Sequence, residues 1–454
     1  MSDCGHSRRR RFLAGLAATG SAALAGCSAL SWTDDGGSSF TAADAADVLA
    51  DGTELPEIEW PAPVSPASDA VDDGLERVET LLADVPDPLE AETVPNGVVR
   101  QSIADRRDEA RDYRDEAAKA TGDDRYRALR TTREARDAAR AATTTLAAIE
   151  DENEAIVADL REERTETRSS VRDRLESIDY RGADAADELL RAALFYARQE
   201  SDLRRAADQL GRHQWAIDDD DPTVIDIGDG AGDVEFAAAT KTVWEHLAER
   251  FDEETDAPTD LTPIFDATLE ASTERVESVT VPDRSDEDWL DGIVDGELDQ
   301  HTEQMLWRTV DPVTSARDGL RLAIEDGTTG IALYEAARFE VLYRAFERVR
   351  GRVDDGTLAT PDSTAAIRAE RTAAIEAAAS AGAWVSEPSI GAYVLAETLR
   401  SLEWTDDSVR RAADNDPGVV VSLFTEYGNY ARIRAQLEAL PDAVEAFRER
   451  LRSA

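Results

Sequence analysis

Between positions 98 and 178 the chain runs without a single proline. Proline breaks helix interiors by removing an N–H and clashing with the preceding turn, so a long proline-free stretch dominated by Arg, Glu, Asp and Ala is composed to be helical. Gly122 interrupts it, which predicts one helix to about 121 and a longer one over 123–178. In the second helix Ile156, Leu160, Arg164, Thr167, Val171, Leu175 and Ile178 recur at spacings of 4 and 3. That approximates an eleven-residue repeat, which packs straight or slightly right-handed, and Arg164 sets a charge on the seam.

The flanks continue the pattern. Val71, Leu75, Val78, Leu81, Leu82 and Val85 share one helical face before Pro86 and Pro88, and Leu189, Leu190, Ala193, Leu194, Ala197, Leu203 and Leu210 lead into Trp215. The simplest assembly for 66–216 is an elongated antiparallel helical bundle with a thin, alanine-rich core. The acidic run 218–221, Pro222 and then Gly228, Gly230 and Gly232 read as an acidic, glycine-rich linker over 217–232. Helical patterns resume at about 234–253, 260–280, 286–308, 312–326, 329–353, 362–382, 388–403, 406–415 and 417–439, ending near 452. Ile331, Leu333, Tyr334, Phe339, Val341, Leu342, Tyr343, Phe346 and Val349 surround their helix on nearly all sides, which places it in the middle of a globule. With no sustained strand alternation, the expected fold class is all-α, the bundle being followed by a larger globular helical domain over 233–454.

Charge limits the partners. Asp and Glu number 97 against 50 Lys and Arg, a formal net charge of −47; phosphate backbones require a basic surface, so nucleic acid is excluded as a partner. Only Lys119 and Lys241 are lysines, the other basic residues being arginine. Such a surface repels itself unless salt shortens the Debye length from about 10 Å at 0.1 M to about 3 Å at 1 M. The composition is that expected of a protein working in molar salt.

The first residues read as an address. Ser7 and four arginines precede Phe12 and Leu13, and the apolar run 12–25 is too short to span a bilayer. Arg9, Arg10, Phe12 and Leu13 fit the twin-arginine export pattern R-R-x-F-L, and Leu24, Ala25, Gly26 and Cys27 fit a lipobox ending on the lipidated cysteine. Over 9–27 the chain resembles the signals of haloarchaeal twin-arginine-exported lipoproteins. The resemblance implies removal of 1–26, a lipid on Cys27 and an anchored position on the extracytoplasmic face of the cell membrane. With Cys4 removed and Cys27 lipidated, no thiol would remain for a disulfide, a zinc site or a nucleophile. Residues 27–65, with Pro56, Pro61, Pro63 and Pro66 at the end, read as a flexible tether.

Catalytic signatures are sparse. Residues 224–232, V-I-D-I-G-D-G-A-G, resemble the glycine-rich first motif of Rossmann-type methyltransferases, but the alternating strands and helices of that fold are missing around them; a linker is the better reading. The aspartates there fit no EF-hand spacing. Of His213, His246 and His301, none lies in H-E-x-x-H; Glu297 and His301, four apart on an expected helix, read as a surface pair. No nucleophile elbow, S-x-x-K or P-loop occurs. Trp289, Trp307, Trp384 and Trp404 would line a sugar cleft beside paired carboxylates in a hydrolase, and otherwise pack in the core. The sequence thus assigns no catalytic residue, metal ligand or cofactor. The leading expectation is a non-enzymatic, lipid-anchored protein with a structural or interaction role among envelope proteins. A receptor for a solute or cation, using a cleft between the C-terminal helices, and a helical envelope-glycan hydrolase are the alternatives.

Overall fold

Local capping chemistry explains where the chain first becomes regular. Thr41 Oγ1 accepts from the backbone N–H of Asp44, and the Asp44 carboxylate accepts from the N–H of Thr41 at 2.8 Å. This reciprocal capping box starts helix α1 (Ala42–Val48), whose Ala42, Ala45 and Val48 are buried. The computed structural model describes residues 39–50, 52–122, 124–150, 153–212, 216–218, 221–282, 289–290, 293–294, 297–385 and 388–454. Among them the α-helices are α2 (Ser68–Leu82), α3 (Gly97–Ala117), α4 (Asp124–Glu150), α5 (Asn153–Glu176), α6 (Ala186–Leu210), α7 (Val224–Glu254), α8 (Thr262–Glu277), α9 (Gln300–Glu325), α10 (Thr329–Asp354), α11 (Thr364–Gly382), α12 (Ile390–Ala413) and α13 (Phe424–Ser453). Two-residue strands form two antiparallel bridges: β1 (Phe40–Thr41) pairs with β4 (Val420–Val421), and β2 (Arg181–Gly182) pairs with β3 (Thr259–Asp260). The chain is all-α. No described helix is long and apolar enough to cross a membrane.

Residues 39–454 form one compact unit. Helices α2–α7 pack on one another around α4, which α2, α3 and α7 all contact, while α10 lies between α6, α8, α9 and α13. This central position fits its all-round apolar surface. The largest core is shared by both regions: Leu194, Phe195, Trp244 and Phe251 join Phe265, Leu320, Leu333, Phe447 and Leu451. A second core holds α1 against α11, α12 and α13 through Phe40, Ala45, Val48, Ile367, Leu402 and Tyr430. On the seam of α5, Leu160 and Val171 are buried, and Arg164 reaches the end of α6, donating to the Leu210 carbonyl at 2.6 Å and pairing with Asp218 at 2.7 Å.

Four expectations are corrected. The single helix expected over 123–178 is two, α4 and α5. The tether does not extend to 65: Phe40 and α1 are part of the core, because the Thr41–Asp44 box and the apolar spacing of Ala42, Ala45 and Val48 make a helix there. The linker over 217–232 is largely helix. A second capping box, Thr223 with Asp226, starts α7 at Val224, and Gly228 and Gly232 lie where α7 crosses α4. A Cβ on Gly228 would stand 2.7 Å from the Ala141 carbonyl oxygen, and one on Gly232 2.2 Å from Asp137 Oδ1. These glycines are there for close helix approach. Finally, Pro312 lies inside α9 and α12 continues through 404–405, so two pairs of expected helices are single ones, and the helix expected over 417–439 runs on through Pro441 as α13. Tertiary packing on several sides outweighs the one backbone hydrogen bond that each proline removes.

Candidate ligand cleft

Helices α9, α10, α12 and α13 leave a cleft of about 330 Å³ between them, and Trp60, from the extended chain before α2, closes one side. Helical spacing selects what faces it. Tyr334, Arg338, Val341 and Leu342 form one face of α10; Val394, Glu397, Thr398, Ser401 and Trp404 form one face of α12; Arg432 and Gln436 stand one turn apart on α13. Pro312 contributes the wall from α9.

The lining includes a phenol–carboxyl pair. Tyr334 Oη donates to Glu397 Oε2 at 2.5 Å. Burial pushes the Glu397 carboxyl above the ordinary carboxylate range despite this hydrogen bond and the nearby Arg338 and Arg198. Burial likewise raises Glu335, which Arg338 contacts at 3.2 Å. Tyr334 packs edge-on against Tyr393 at 5.9 Å, and Trp60 tilts against Tyr393 at 5.4 Å.

Tyr393 ties this pair to the bundle. Arg198 donates to Tyr393 Oη at 2.5 Å and lies within 3.6 Å of Asp202. Asp202 also pairs with Arg133 at 2.9 Å and Arg130 at 3.3 Å, and accepts from Trp244 Nε1 at 3.1 Å. Burial alone would raise the Asp202 carboxyl, but the three guanidiniums outweigh it and hold it well below the usual range. The aromatic wall is therefore supported by a fixed charge network, of the kind that locks side chains in place when fully satisfied.

Arg432 also lines the cleft. Half-buried Arg432 has its guanidinium affinity for protons lowered, first by burial and then by the like charge of Arg308 on α9. At the mouth, Trp404 is 61% exposed and carries Arg400 over its ring at 5.6 Å, with Arg400 also pairing with Glu403 at 2.8 Å. Aromatic rings left half in water at the rim of a concave site, with a few polar groups inside, are the usual anatomy of a ligand pocket. Glu397 is the one carboxylate among the lining residues, so this cleft does not contain the carboxyl pair of a glycosidase.

The residues singled out in the sequence have scattered fates. Arg9, Arg10, Phe12, Leu13, Leu24, Ala25, Gly26 and Cys27 lie outside the described residues, as do His213 and Trp215. Of the four tryptophans given to a sugar cleft or to the core, only Trp404 lines the cleft; Trp384 is 42% exposed under Arg448 and Trp307 lies at the surface, so neither is a core residue. Their core-packing alternative is corrected on that point, the deep core being occupied by Trp244 instead. Glu297 precedes α9, whose N-cap is Asp299, so Glu297 and His301 do not share a helix; His301 stacks on Phe424 at 3.9 Å. His246 Nε2 accepts from the Ala67 N–H at 3.2 Å, at the start of α2. No group of His, Cys, Asp and Glu able to hold a metal ion occurs among the described residues. Glu397, Tyr334 and Arg432 were missed. Only Arg432 left a trace, as a cation between Tyr430, Ala431 and Ile433 on an otherwise apolar face.

Residues 69–257 match a family model described as Domain of unknown function (DUF8262), and residues 262–449 match a second, Domain of unknown function (DUF8264). No curated protein and no solved structure matches the chain significantly. The two matches are separated by residues 258–261, which include β3. The cleft residues from α9 to α13 fall within the second match, whereas Trp60 lies before the first.

Proposed function

We propose that the protein is an exported, lipid-anchored receptor for a small solute, working in a high-salt envelope. The observation that carries this reading is the cleft: Trp60 and Trp404 stand partly exposed at its rim, above the Tyr334–Glu397 pair and Arg432. Burying these rings against a ligand removes apolar area from water at about 25 cal/mol per Å², and molar salt strengthens rather than screens that contribution. The receptor takes precedence over a scaffold because an interaction surface needs no concave, partly wet aromatic site. It takes precedence over a two-carboxylate hydrolase because the cleft offers one carboxyl.

The export and anchoring half rests on Arg9, Arg10, Phe12 and Leu13 and on the lipobox Leu24, Ala25, Gly26 and Cys27. Cys27→Ser should yield a protein that no longer partitions into detergent; partitioning like wild type would remove the anchor from the proposal. For the receptor half, a panel of neutral, cationic and anionic solutes is added in molar salt while the melting temperature is followed. At least one should raise it saturably, and Trp404→Ala should reduce that rise at a given solute concentration. A panel with no saturable response counts against a receptor.

A further inference from the structure

In a chain with nearly two acidic residues for each basic one, arginines that reach the interior have carboxylates waiting for them. Arg133 meets Asp202 at 2.9 Å, Arg136 meets Glu235 at 2.7 Å, Arg352 meets Glu370 at 2.7 Å and Arg371 meets Asp406 at 2.7 Å. Arg432 departs from this rule. It lines the cleft, and among the described residues neither it nor its neighbour Arg308 has a carboxylate within ion-pair distance. Two like charges held together in a partly desolvated place cost stability unless an opposite charge joins them.

The other charges of the cleft do not fill the gap. Arg338 is matched by Glu335 and Arg400 by Glu403. Glu397 is engaged by Tyr334 and is held toward its uncharged form by burial. What remains is a local positive site on a strongly negative molecule, with Gln436 one helical turn from Arg432 as a neutral donor and Trp404 at the rim.

We infer that the cleft binds a small organic anion, its oxyanion group held by Arg432 and its apolar or ring-shaped body lying against Trp404. This inference rests on the receptor reading and specifies its ligand class. Molar salt cuts the Debye length to about 3 Å, so long-range attraction contributes little and direct contact decides. A guanidinium fork gives a planar oxyanion two parallel hydrogen bonds. Chloride, abundant in such a medium, is a single atom that gains neither the second bond nor the ring contact, so an organic anion competes with it.

The test is calorimetric titration of the full-length protein in molar potassium chloride with benzoate, benzyl alcohol and inorganic phosphate. Benzoate should saturate one site and bind about tenfold or more tighter than benzyl alcohol. Arg432→Gln should weaken benzoate by a similar factor while leaving benzyl alcohol unaffected, and Arg432→Lys should retain part of the affinity. Removing a buried like-charge repulsion should leave the Arg432→Gln melting temperature unchanged or raised. Should that variant fail to fold, Trp404→Ala, at an exposed position, should still weaken benzoate by several fold. Equal binding of benzoate and benzyl alcohol, or unchanged benzoate binding by Arg432→Gln, would overturn the inference. So would phosphate binding without benzoate binding, which would remove the organic body, or failure of all three probes. A neutral or cationic solute found by the melting panel would leave the receptor reading standing while these results sank the anion.

Discussion

Gly228 shows how one residue decides where two helices meet. Its absent Cβ would lie 1.9 Å from Thr145 Oγ1 and 2.7 Å from the Ala141 carbonyl. The first contact involves a side chain that can turn; the second is backbone of α4 and cannot. Gly228→Ala should therefore destabilise the protein by about 1–3 kcal/mol, as overpacking does, whereas Gly351→Ala in α10, with nothing within 4 Å of the added carbon, should be neutral or stabilise by up to about 1 kcal/mol. Comparing the two melting temperatures in molar salt checks this, and a harmless Gly228→Ala would restore a permissive loop. Beside the same crossing, burial and the charge of Asp233 push the Asp137 carboxyl up to about 7, against the pull of Arg106. A carboxyl whose folded pKa is raised keeps its proton in the folded state after the unfolded state has lost it. Its contribution to stability is therefore intact below the ordinary aspartate range and is lost as pH rises from about 4 to 7. Asp137→Asn should be more stable than wild type at pH 8 by on the order of 2 kcal/mol, and the advantage should vanish near pH 4. These details were not legible from residue types alone: the glycines and aspartates of 224–232 are the composition of a loop, and only the Thr223–Asp226 box and the four-residue spacing of Gly228 and Gly232 hinted at a helix.

Helices were readable where one face was apolar and the other charged. The regular faces of α2, α3 and α6 and the all-apolar α10 stand close to their expected bounds. Sequence reading failed where punctuation was overridden by packing, as at Pro312 and Pro441, and where a short helix depended on distant partners, as with α1. The cleft was the least legible element, because Trp60, Tyr334, Glu397 and Arg432 come from four segments and no local spacing joins them. The same dependence on distant partners governs how the C-terminal helices are held. Asp406 of α12, wholly buried, accepts from Arg371 Nε at 3.0 Å and Nη2 at 2.7 Å and from Tyr430 Oη at 2.7 Å, and Arg371 Nη2 also reaches the Thr53 carbonyl at 2.9 Å. One carboxylate thus joins α11, α12, α13 and the extended segment after α1. Asp406→Asn leaves the Arg371 charge buried without its counter-ion, so it should cost about 3–5 kcal/mol. Denaturant unfolding should show this as a lower midpoint at unchanged slope; a loss below about 1 kcal/mol would mean that the guanidinium finds water instead.

At the scale of the molecule, a net charge of −47 acts against every one of these contacts. The Asp202, Glu235, Asp406 and Glu370 pairs are shielded by burial and are little affected by salt, whereas repulsion among the surface carboxylates returns as the Debye length grows. Lowering salt from molar to about 0.1 M should therefore unfold the protein while its interior ion pairs remain strong. The manner of unfolding follows from the core. Because Trp244 and Phe251 from the first family match share one cluster with Phe265, Leu333, Phe447 and Leu451 from the second, neither match can lose its packing without exposing apolar surface of the other. Helical circular dichroism follows the whole chain, and tryptophan fluorescence, to which the buried Trp244 contributes, follows tertiary packing. The two should report one coincident transition, shifting together as salt is varied. Two separated transitions, or a fragment 69–257 that folds alone with native stability, would mean that the shared cluster contributes little and that the boundary at 258–261 divides two independently stable domains. A single transition insensitive to salt would refute the electrostatic argument instead, because repulsion among the surface carboxylates would then be too weak to matter at any ionic strength.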